Sequence, residues 1–330
     1  MTVDWWFVMM RRFALLLLAA PLLAQTPAGL TPGRRVVLDS HNCYPYEGRF
    51  EDRIDRALAQ GFPVSIEQDL TWFVNPATDA GRIVIHHGAT ATGAEPGLRE
   101  YFFERVRPIV EKALREGQRN TWPIIYLHFD FKSVTPALLD AVWNLLGEYE
   151  GWITTAPKLQ DPGVLAPLDV KPIMVLTEEA VEQERVFFDR VAVGNKLRLF
   201  GSAVTQKQKN GQPLLTPEQI VSQPATNYRR WWNSAWNVVE AGGQTQAGAW
   251  TTQSDARLRG LVNYAHKLGY AIRFYTLNGH TVEAGVTNGW DRAYNFGSKN
   301  AVEKRWRAAV TAGVDFIATD QVEDLARLLR

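Results

Sequence analysis

Cysteine is nearly absent from this sequence, because Cys43 is the single cysteine among 330 residues. One thiol can form neither an intramolecular disulfide nor a cysteine-based zinc site, and we expect Cys43 to be a partly buried, inert side chain. An excess of charge is lacking too, since 36 Lys and Arg residues face 35 Asp and Glu residues and the net charge is +1. This balance gives no electrostatic basis for binding nucleic acid, and we expect no such partner.

The N-terminal residues have the pattern of a signal peptide. Arg11 and Arg12 precede an apolar run from Phe13 to Ala24, and the polar Gln25 follows. The apolar run is too short for a typical membrane span. We therefore interpret residues 1–24 as a signal peptide of a secreted or periplasmic protein and residues 30–330 as the folded domain. An uncleaved N-terminal anchor is the alternative.

Short apolar runs recur through the rest of the chain and indicate buried parallel strands. Eight are expected, at residues 36–38, 64–66, 83–85, 124–127, 173–176, 197–204, 271–277 and 316–319. Helical patterns lie between them, at residues 50–60, 98–116, 135–149, 255–268 and 299–312, with a further helix start at 216–218. This alternation predicts a single-domain TIM barrel, the (β/α)8 fold of the α/β class. An open doubly wound sheet is the alternative, and the lack of a glycine-rich loop after the first strand disfavours it.

Polar residues follow consecutive predicted strands, where a TIM barrel has its active site. His41 follows the first strand, Glu67 and Asp69 lie at the end of the second, and Asp130 and Lys132 follow the fourth. Residues two apart on a strand point to the same side, so Glu67 shares a face with Asp69, and Asp130 with Lys132. Three converging carboxylates repel one another unless a cation lies among them. Their oxygen ligands predict a divalent cation, Mg²⁺ or Ca²⁺, bound by Glu67, Asp69 and Asp130.

Histidines next to the expected metal site are candidates for acid–base catalysis. His41 and His86 follow the first and third predicted strands, and we assign both, with Lys132, to catalysis. His87 is the alternative to His86, because neighbouring residues of a strand point to opposite sides. For His128, two residues before Asp130, we expect a supporting role.

The order of these residues resembles a known family. The stretches His41, Glu67-Gln68-Asp69, Ile85-His86 and Asp130-Phe131-Lys132 resemble the glycerophosphodiester phosphodiesterase and phosphatidylinositol phospholipase C-like superfamily, including sphingomyelinase D. The resemblance implies a metal-dependent phosphodiesterase of lipid metabolism, a phosphoric diester hydrolase with histidine acid–base catalysis. The chain departs from the family at His41-Asn42, where His-Arg-Gly is usual.

The resemblance also implies a phosphodiester or phospholipid substrate, peripheral membrane contact and a monomeric protein. We expect substrate contacts from Asn42 in the divergent opening, and from Tyr275 and Asn278, which lie in a stretch similar to the family's seventh strand. Trp232 and Trp236 are four residues apart and would share one face of a helix, forming an aromatic wall for a substrate. Packing in the core is the alternative for these tryptophans.

Two other functions fit the sequence. A glycoside hydrolase is one, since paired carboxylates and many tryptophans occur in such barrels, although Glu67 and Asp69 lie too close together to flank a sugar. An inactive barrel that acts as a secreted binding module is the other.

The signal-peptide interpretation predicts cleavage near Ala24-Gln25 on export. N-terminal sequencing of the protein recovered from the cell envelope or the medium measures this directly. An exported protein that still begins at Met1, Met9 or Met10 would contradict it.

Overall fold

The structure is a computed structural model that describes residues 30–45, 49–88, 90–209 and 211–330. The proposed signal peptide lies outside these residues. Among the described residues, no helix is both long and apolar enough to cross a membrane.

The strands of the described residues fall into one large sheet and one small two-stranded sheet. In chain order they are β1 (Val37–Ser40), β2 (Val64–Val74), β3 (Gly81–Ile85), β4 (Ile125–Phe131), β5 (Ala156–Pro157), β6 (Ile173–Thr177), β7 (Lys196–Leu197), β8 (Phe200–Ser202), β9 (Arg229–Ala235), β10 (Ala271–Tyr275) and β11 (Phe316–Thr319).

Eight parallel strands close into a barrel. Their order is β1, β2, β4, β6, β8, β9, β10 and β11, and β11 pairs with β1 to complete the circle. The predicted single-domain TIM barrel is therefore confirmed. The pair β5–β7 is antiparallel and separate from the barrel.

One predicted barrel strand is wrong. The run Ile83–Ile85 belongs to β3, which pairs antiparallel with β2 and stays outside the closed barrel. The reason is that β2 continues to Val74, so only residues 75–80 connect the two strands, and a parallel crossover needs a dozen residues or more. The eighth barrel strand is instead β9, which includes Trp231 and Trp232.

Helices pack around the barrel and agree with most predicted positions. In chain order they are α1 (Arg53–Leu58), α2 (Glu104–Glu116), α3 (Pro136–Glu148), α4 (Val181–Glu184), α5 (Pro217–Ile220), α6 (Thr252–Lys267), α7 (Val282–Asn288), α8 (Lys299–Ala312) and α9 (Val322–Leu329). Two π-helical turns (Arg99–Phe103 and Arg185–Asp189) and five 3₁₀ turns (Arg119–Thr121, Glu150–Trp152, Trp236–Val238, Gln244–Gln246 and Arg292–Tyr294) lie entirely within the described residues.

The two Thr-Pro signals start helices as predicted. The Thr135 hydroxyl accepts a hydrogen bond from the backbone N–H of Leu138 at the start of α3. Thr216 and Gln219 form a reciprocal capping box at the start of α5. Each cap satisfies backbone N–H groups that have no partner within the helix.

Alternation along the strands separates an apolar outer face from a polar inner face. Ile66, Leu127, Val175, Ile272 and Ile317 are completely buried where the helices cover the barrel. The neighbouring residues on the strands point inward, and several of them are charged. Burial of the outer face stabilises the barrel and holds these inward side chains in place.

Cys43 is fully buried and free, and burial raises the pKa of its thiol to about 12. A thiol with so high a pKa is a poor nucleophile. This agrees with the inert role expected for it.

A buried ion pair joins α8 to the segment after β9. Arg305 is 2% exposed and donates from Nη2 to Glu240 Oε1 at 2.6 Å and from Nε to Oε2 at 3.0 Å. The indole N–H of Trp236 donates to the same Oε2 at 2.7 Å. The Glu240 carboxylate therefore accepts hydrogen bonds from both α8 and the 3₁₀ turn after β9.

Glu240→Gln should lower the free energy of unfolding by about 3–5 kcal/mol, because it leaves the buried guanidinium of Arg305 without a counterion. Urea unfolding followed by circular dichroism measures this. Asp140→Asn is the matched control, since Asp140 pairs with Arg190 on the surface and its loss should have little effect. Equal stability of the two variants would contradict the role of the pair.

Candidate functional site

A buried arginine organises the middle of the barrel. Arg273, on the inner face of β10, is 2% exposed and donates to carboxylate oxygens of Asp39 and Glu67. Its Nη1 donates to Asn233 Oδ1 at 3.0 Å. Burial lowers the pKa of Arg273, but Asp39 and Glu67 outweigh this effect and the pKa is raised overall. The guanidinium therefore stays charged and links β1, β2, β9 and β10 from inside.

A carboxylate cluster lies just above this arginine, towards the C-terminal ends of the strands. Glu67 and Asp69 lie on β2. Asp130 lies on the neighbouring strand β4, where it is the register partner of Asp69. One oxygen of each of these three side chains lies within 4.8 Å of the other two. The predicted convergence of the three carboxylates is confirmed.

Lys132 lies beside this cluster. Its Nζ is 2.6 Å from Asp130 Oδ2 and 3.0 Å from Asp69 Oδ2. Burial raises the pKa of Asp69, as do the charges of Glu67 and Asp130, while Lys132 opposes them; the result is a pKa of about 7. One ammonium group therefore offsets only part of the negative charge.

The donor set fits a divalent cation. Asp69 is fully buried, and its Oδ1 has no hydrogen-bond partner among the described residues. A buried carboxylate oxygen without a partner is costly, and a cation among the three carboxylates would satisfy it. The cluster could therefore hold a metal ion.

A histidine–carboxylate pair lies next to the cluster. His41 Nδ1 is 3.0 Å from Asp320 Oδ1, and His41 Nε2 is 3.8 Å from Glu67 Oε1. Asn278 donates from Nδ2 to the other Asp320 oxygen at 2.6 Å. Burial lowers the pKa of His41, but the charges of Asp320 and Glu67 outweigh it and the pKa is raised. Asp320 therefore fixes the ring so that Nε2 is directed towards the cluster.

His86 and His87 differ from the expectation. His86 follows the hairpin strand β3 rather than a barrel strand, and its Nδ1 is 3.9 Å from Glu95 Oε1. His87 lies in the electrostatic field of the cluster. Burial and then Lys132 lower the pKa of His87, while Asp130 opposes them. The structure thus brings His41 and Lys132 to the carboxylates. The backbone N–H of His86 donates to the carbonyl of Asp69 at 2.9 Å, and the catalytic role of His86 stays a prediction.

The tryptophans assigned to a substrate wall are part of the core. Trp232 lies on a strand and Trp236 follows it in a 3₁₀ turn, so the helical face expected for them does not exist. Both are fully buried, and Trp236 packs against Trp250, Phe274 and Phe296. The alternative of core packing is correct for both residues.

The other expected substrate contacts lie near the site, and two of them have partners within the protein. Asn42 accepts a hydrogen bond from the Tyr44 hydroxyl at 2.9 Å. Asn278 is buried and holds Asp320, so it positions His41 in this geometry. Tyr275 is partly exposed at the end of β10 and packs edge-on against Tyr294.

The sequence indicates a supporting role for His128 but leaves several other members of this network unassigned. His128 Nε2 is 2.7 Å from Glu178 Oε1, and its Nδ1 is 3.5 Å from Glu67 Oε2. Burial and then Arg273 lower the pKa of His128, but Glu178 and Glu67 raise it to about 9. The missed residues share inward positions on, or directly after, barrel strands; they are Asp39, Glu178, Asn233, Arg273 and Asp320. Alternation along each strand marks these positions as inward, but it does not show which of the side chains meet.

Comparisons with known proteins give fold similarity only. No family model and no curated protein matches the chain. Solved structures of Plasmodium falciparum HPPK-DHPS are similar: a triple mutant with SDX-DHP (TM-score 0.42, 10% identity) and a form with pterin and p-hydrobenzoate (TM-score 0.43, 10% identity). The match covers 90% of this chain and 47% or 48% of those chains, so the chain spans about half their length. Similarity at this level transfers no residue role.

These findings correct the family assignment. The structural neighbours are dihydropteroate synthase chains and not phosphodiesterases, so the predicted membership of the glycerophosphodiesterase superfamily is wrong. The predictions that depended on it are wrong as well: a phosphoric diester hydrolase of lipid metabolism, with a phosphodiester or phospholipid partner at a membrane. The glycoside hydrolase and the inactive binding module are not supported either.

The central arginine gives a prediction about stability. Arg273→Met should lower the free energy of unfolding by about 3–5 kcal/mol, because it leaves Asp39 and Glu67 buried without their counterion. Chemical unfolding is the measurement. Adding Asp39→Asn to Arg273→Met should recover part of the loss, since one uncompensated charge is removed. A double mutant that loses the sum of the two single effects would show that these charges are not coupled.

Proposed function

We propose that this protein is a metal-dependent enzyme that acts on a small oxyanion-bearing substrate at the barrel mouth, with His41 as its general acid–base. The observation that carries the proposal is the buried cluster of Glu67, Asp69 and Asp130, in which Asp69 Oδ1 has no hydrogen-bond partner among the described residues. An acid–base residue directed at such a cluster is the arrangement expected of an active site.

Mg²⁺ is the cation that this donor set favours. Ca²⁺ usually takes six to eight oxygen ligands, many of them from the protein, whereas Mg²⁺ is commonly bound by a few carboxylates together with water and substrate. Three carboxylates form the cluster, which leaves positions for substrate oxygens. When bound, the cation would polarise a substrate oxygen and stabilise developing negative charge.

His41 has the position for proton transfer. Its Nδ1–H is donated to Asp320, which leaves the Nε2 lone pair free to accept a proton from a substrate held at the cluster. Asn278 keeps Asp320 in place through the second carboxylate oxygen. The ring can return the proton to the leaving atom or to the product without leaving its position.

Lys132 has the position for charge compensation. In this structure its ammonium group is bound by Asp69 and Asp130. With a divalent cation held by these carboxylates, the ammonium group of Lys132 would be available to an anionic group of the substrate. This requirement for negative charge is why we assign an oxyanion to the substrate.

The metal prediction is tested by calorimetric titration of EDTA-stripped protein with Mg²⁺. Asp130→Asn should weaken Mg²⁺ binding by at least about tenfold, since even outer-shell changes cost about 10- to 100-fold. Asp130 is the suitable position because its side chain is 34% exposed, so the variant should fold normally. Asp140→Asn again serves as the control and should bind Mg²⁺ as the wild type does.

The catalytic role needs a separate measurement. His41→Asn should retain Mg²⁺ affinity, because His41 is not one of the cluster carboxylates, yet it should lose about 10²–10⁴ in any Mg²⁺-dependent turnover found in a screen of small oxyanion compounds. Pteroate and pterin belong in that screen as test compounds, since they are named with the similar structures. Turnover that persists in EDTA, or that His41→Asn leaves intact, would overturn the proposal. We further propose that the enzyme acts outside the cytoplasm, on the strength of the N-terminal pattern alone.

A further inference from the structure

A second cavity lies at the opposite end of the barrel from the carboxylate cluster. It has a volume of about 190 Å³, and its wall includes residues at the starts of β1, β4, β6, β10 and β11. The lining is mostly apolar, with Val37, Leu168, Met174, Trp231 and Phe316 among its members. None of these residues belongs to the proposed metal and acid–base site.

The cavity also has a cation, Arg230, for which the described residues provide no acidic partner. Arg230 lines it and donates from Nε to the carbonyl of Asn227 at 3.1 Å and from Nη2 to the carbonyl of Ala166 at 2.9 Å. No ion pair to Arg230 is present among the described residues, and burial lowers the pKa of Arg230 to about 10. The guanidinium also lies over the Phe200 ring, 5.0 Å from its centroid. Two carbonyl dipoles and one ring face leave a largely buried guanidinium without a full negative charge to balance it.

The acidic residue in the wall is already engaged. Asp315 accepts hydrogen bonds from the backbone N–H of Gly33 through Oδ1, and from the N–H of Ile272 through Oδ2. His266 Nε2 is 2.8 Å from the same Oδ2. Asp315 therefore does not serve Arg230, while Arg35 adds a second positive charge to the lining.

We propose that this cavity binds a small carboxylate with an apolar body, such as benzoate or hexanoate, whose carboxylate group is held by Arg230. The size is suitable, because an engineered apolar cavity of about 150 Å³ in another protein accepts benzene. Arg230 would supply charge-assisted hydrogen bonds to the carboxylate, and Trp231 and Phe316 would contact the apolar body.

Calorimetric titration of the full-length protein with benzoate and hexanoate in EDTA tests the proposal. The expected result is binding of one molecule per chain. Arg230→Gln should weaken benzoate binding by about 10- to 100-fold, the usual contribution of a hydrogen bond to a charged group. Benzyl alcohol, which has the same ring without the charge, should bind weakly and equally to both proteins.

Two further variants guard against misfolding and against binding at the other site. Leu168→Trp fills part of the cavity without changing its charge, and it should weaken benzoate and benzyl alcohol alike. Asp130→Asn alters the mouth and should leave benzoate binding unchanged, so the result is independent of the proposed function. Absence of carboxylate binding by the wild type, equal affinity in Arg230→Gln, or loss of binding in Asp130→Asn would overturn the proposal.

Discussion

A guanidinium buried inside a barrel has to be balanced by carboxylates that are themselves buried, and this constraint sets the positions of the side chains around Arg273. Asp39 and Glu67 supply the balance, and Asn233 fills a further donor position. Such a network is costly to assemble and more costly to leave incomplete. The four strands that carry these side chains, β1, β2, β9 and β10, are therefore tied together inside the barrel. The other oxygen of Glu67 lies 3.8 Å from His41 Nε2, which places the proposed acid–base residue relative to the carboxylate cluster.

The two ends of the barrel, on either side of this polar middle layer, differ in the charge of their side chains. Towards the C-terminal ends of the strands, carboxylates outnumber the single ammonium group of Lys132, so the mouth favours a cation. Towards the N-terminal ends, the cavity lining is mostly apolar and Arg230 has no acidic partner among the described residues, so this end favours an anion with an apolar body. The two ends of one barrel thus favour ligands of opposite charge.

The fold could be predicted from the sequence because buried parallel strands are continuous apolar runs and the helices between them begin with clear caps. The error at Ile83–Ile85 had a physical cause. An apolar run of three residues has the same pattern in a buried parallel strand and in a hairpin strand. Only the short connection between β2 and β3, residues 75–80, distinguishes the two arrangements. The carboxylate cluster was predictable because Glu67 and Asp69 share a face within one strand. Asp320 and Arg273 were not assigned, because their partners come from distant strands, and only the closed barrel makes them neighbours.

The choice of β9 over β3 as a barrel strand changes which side chains the barrel interior receives. With β9 in the barrel, Asn233 joins the interior beside Arg273, and His86 lies on a hairpin outside the closed barrel. Function in this fold depends on the side chains at the strand ends and not on the barrel that positions them. The chemistry has therefore to be derived from the network around Glu67, where His41, Arg273 and the cluster carboxylates meet.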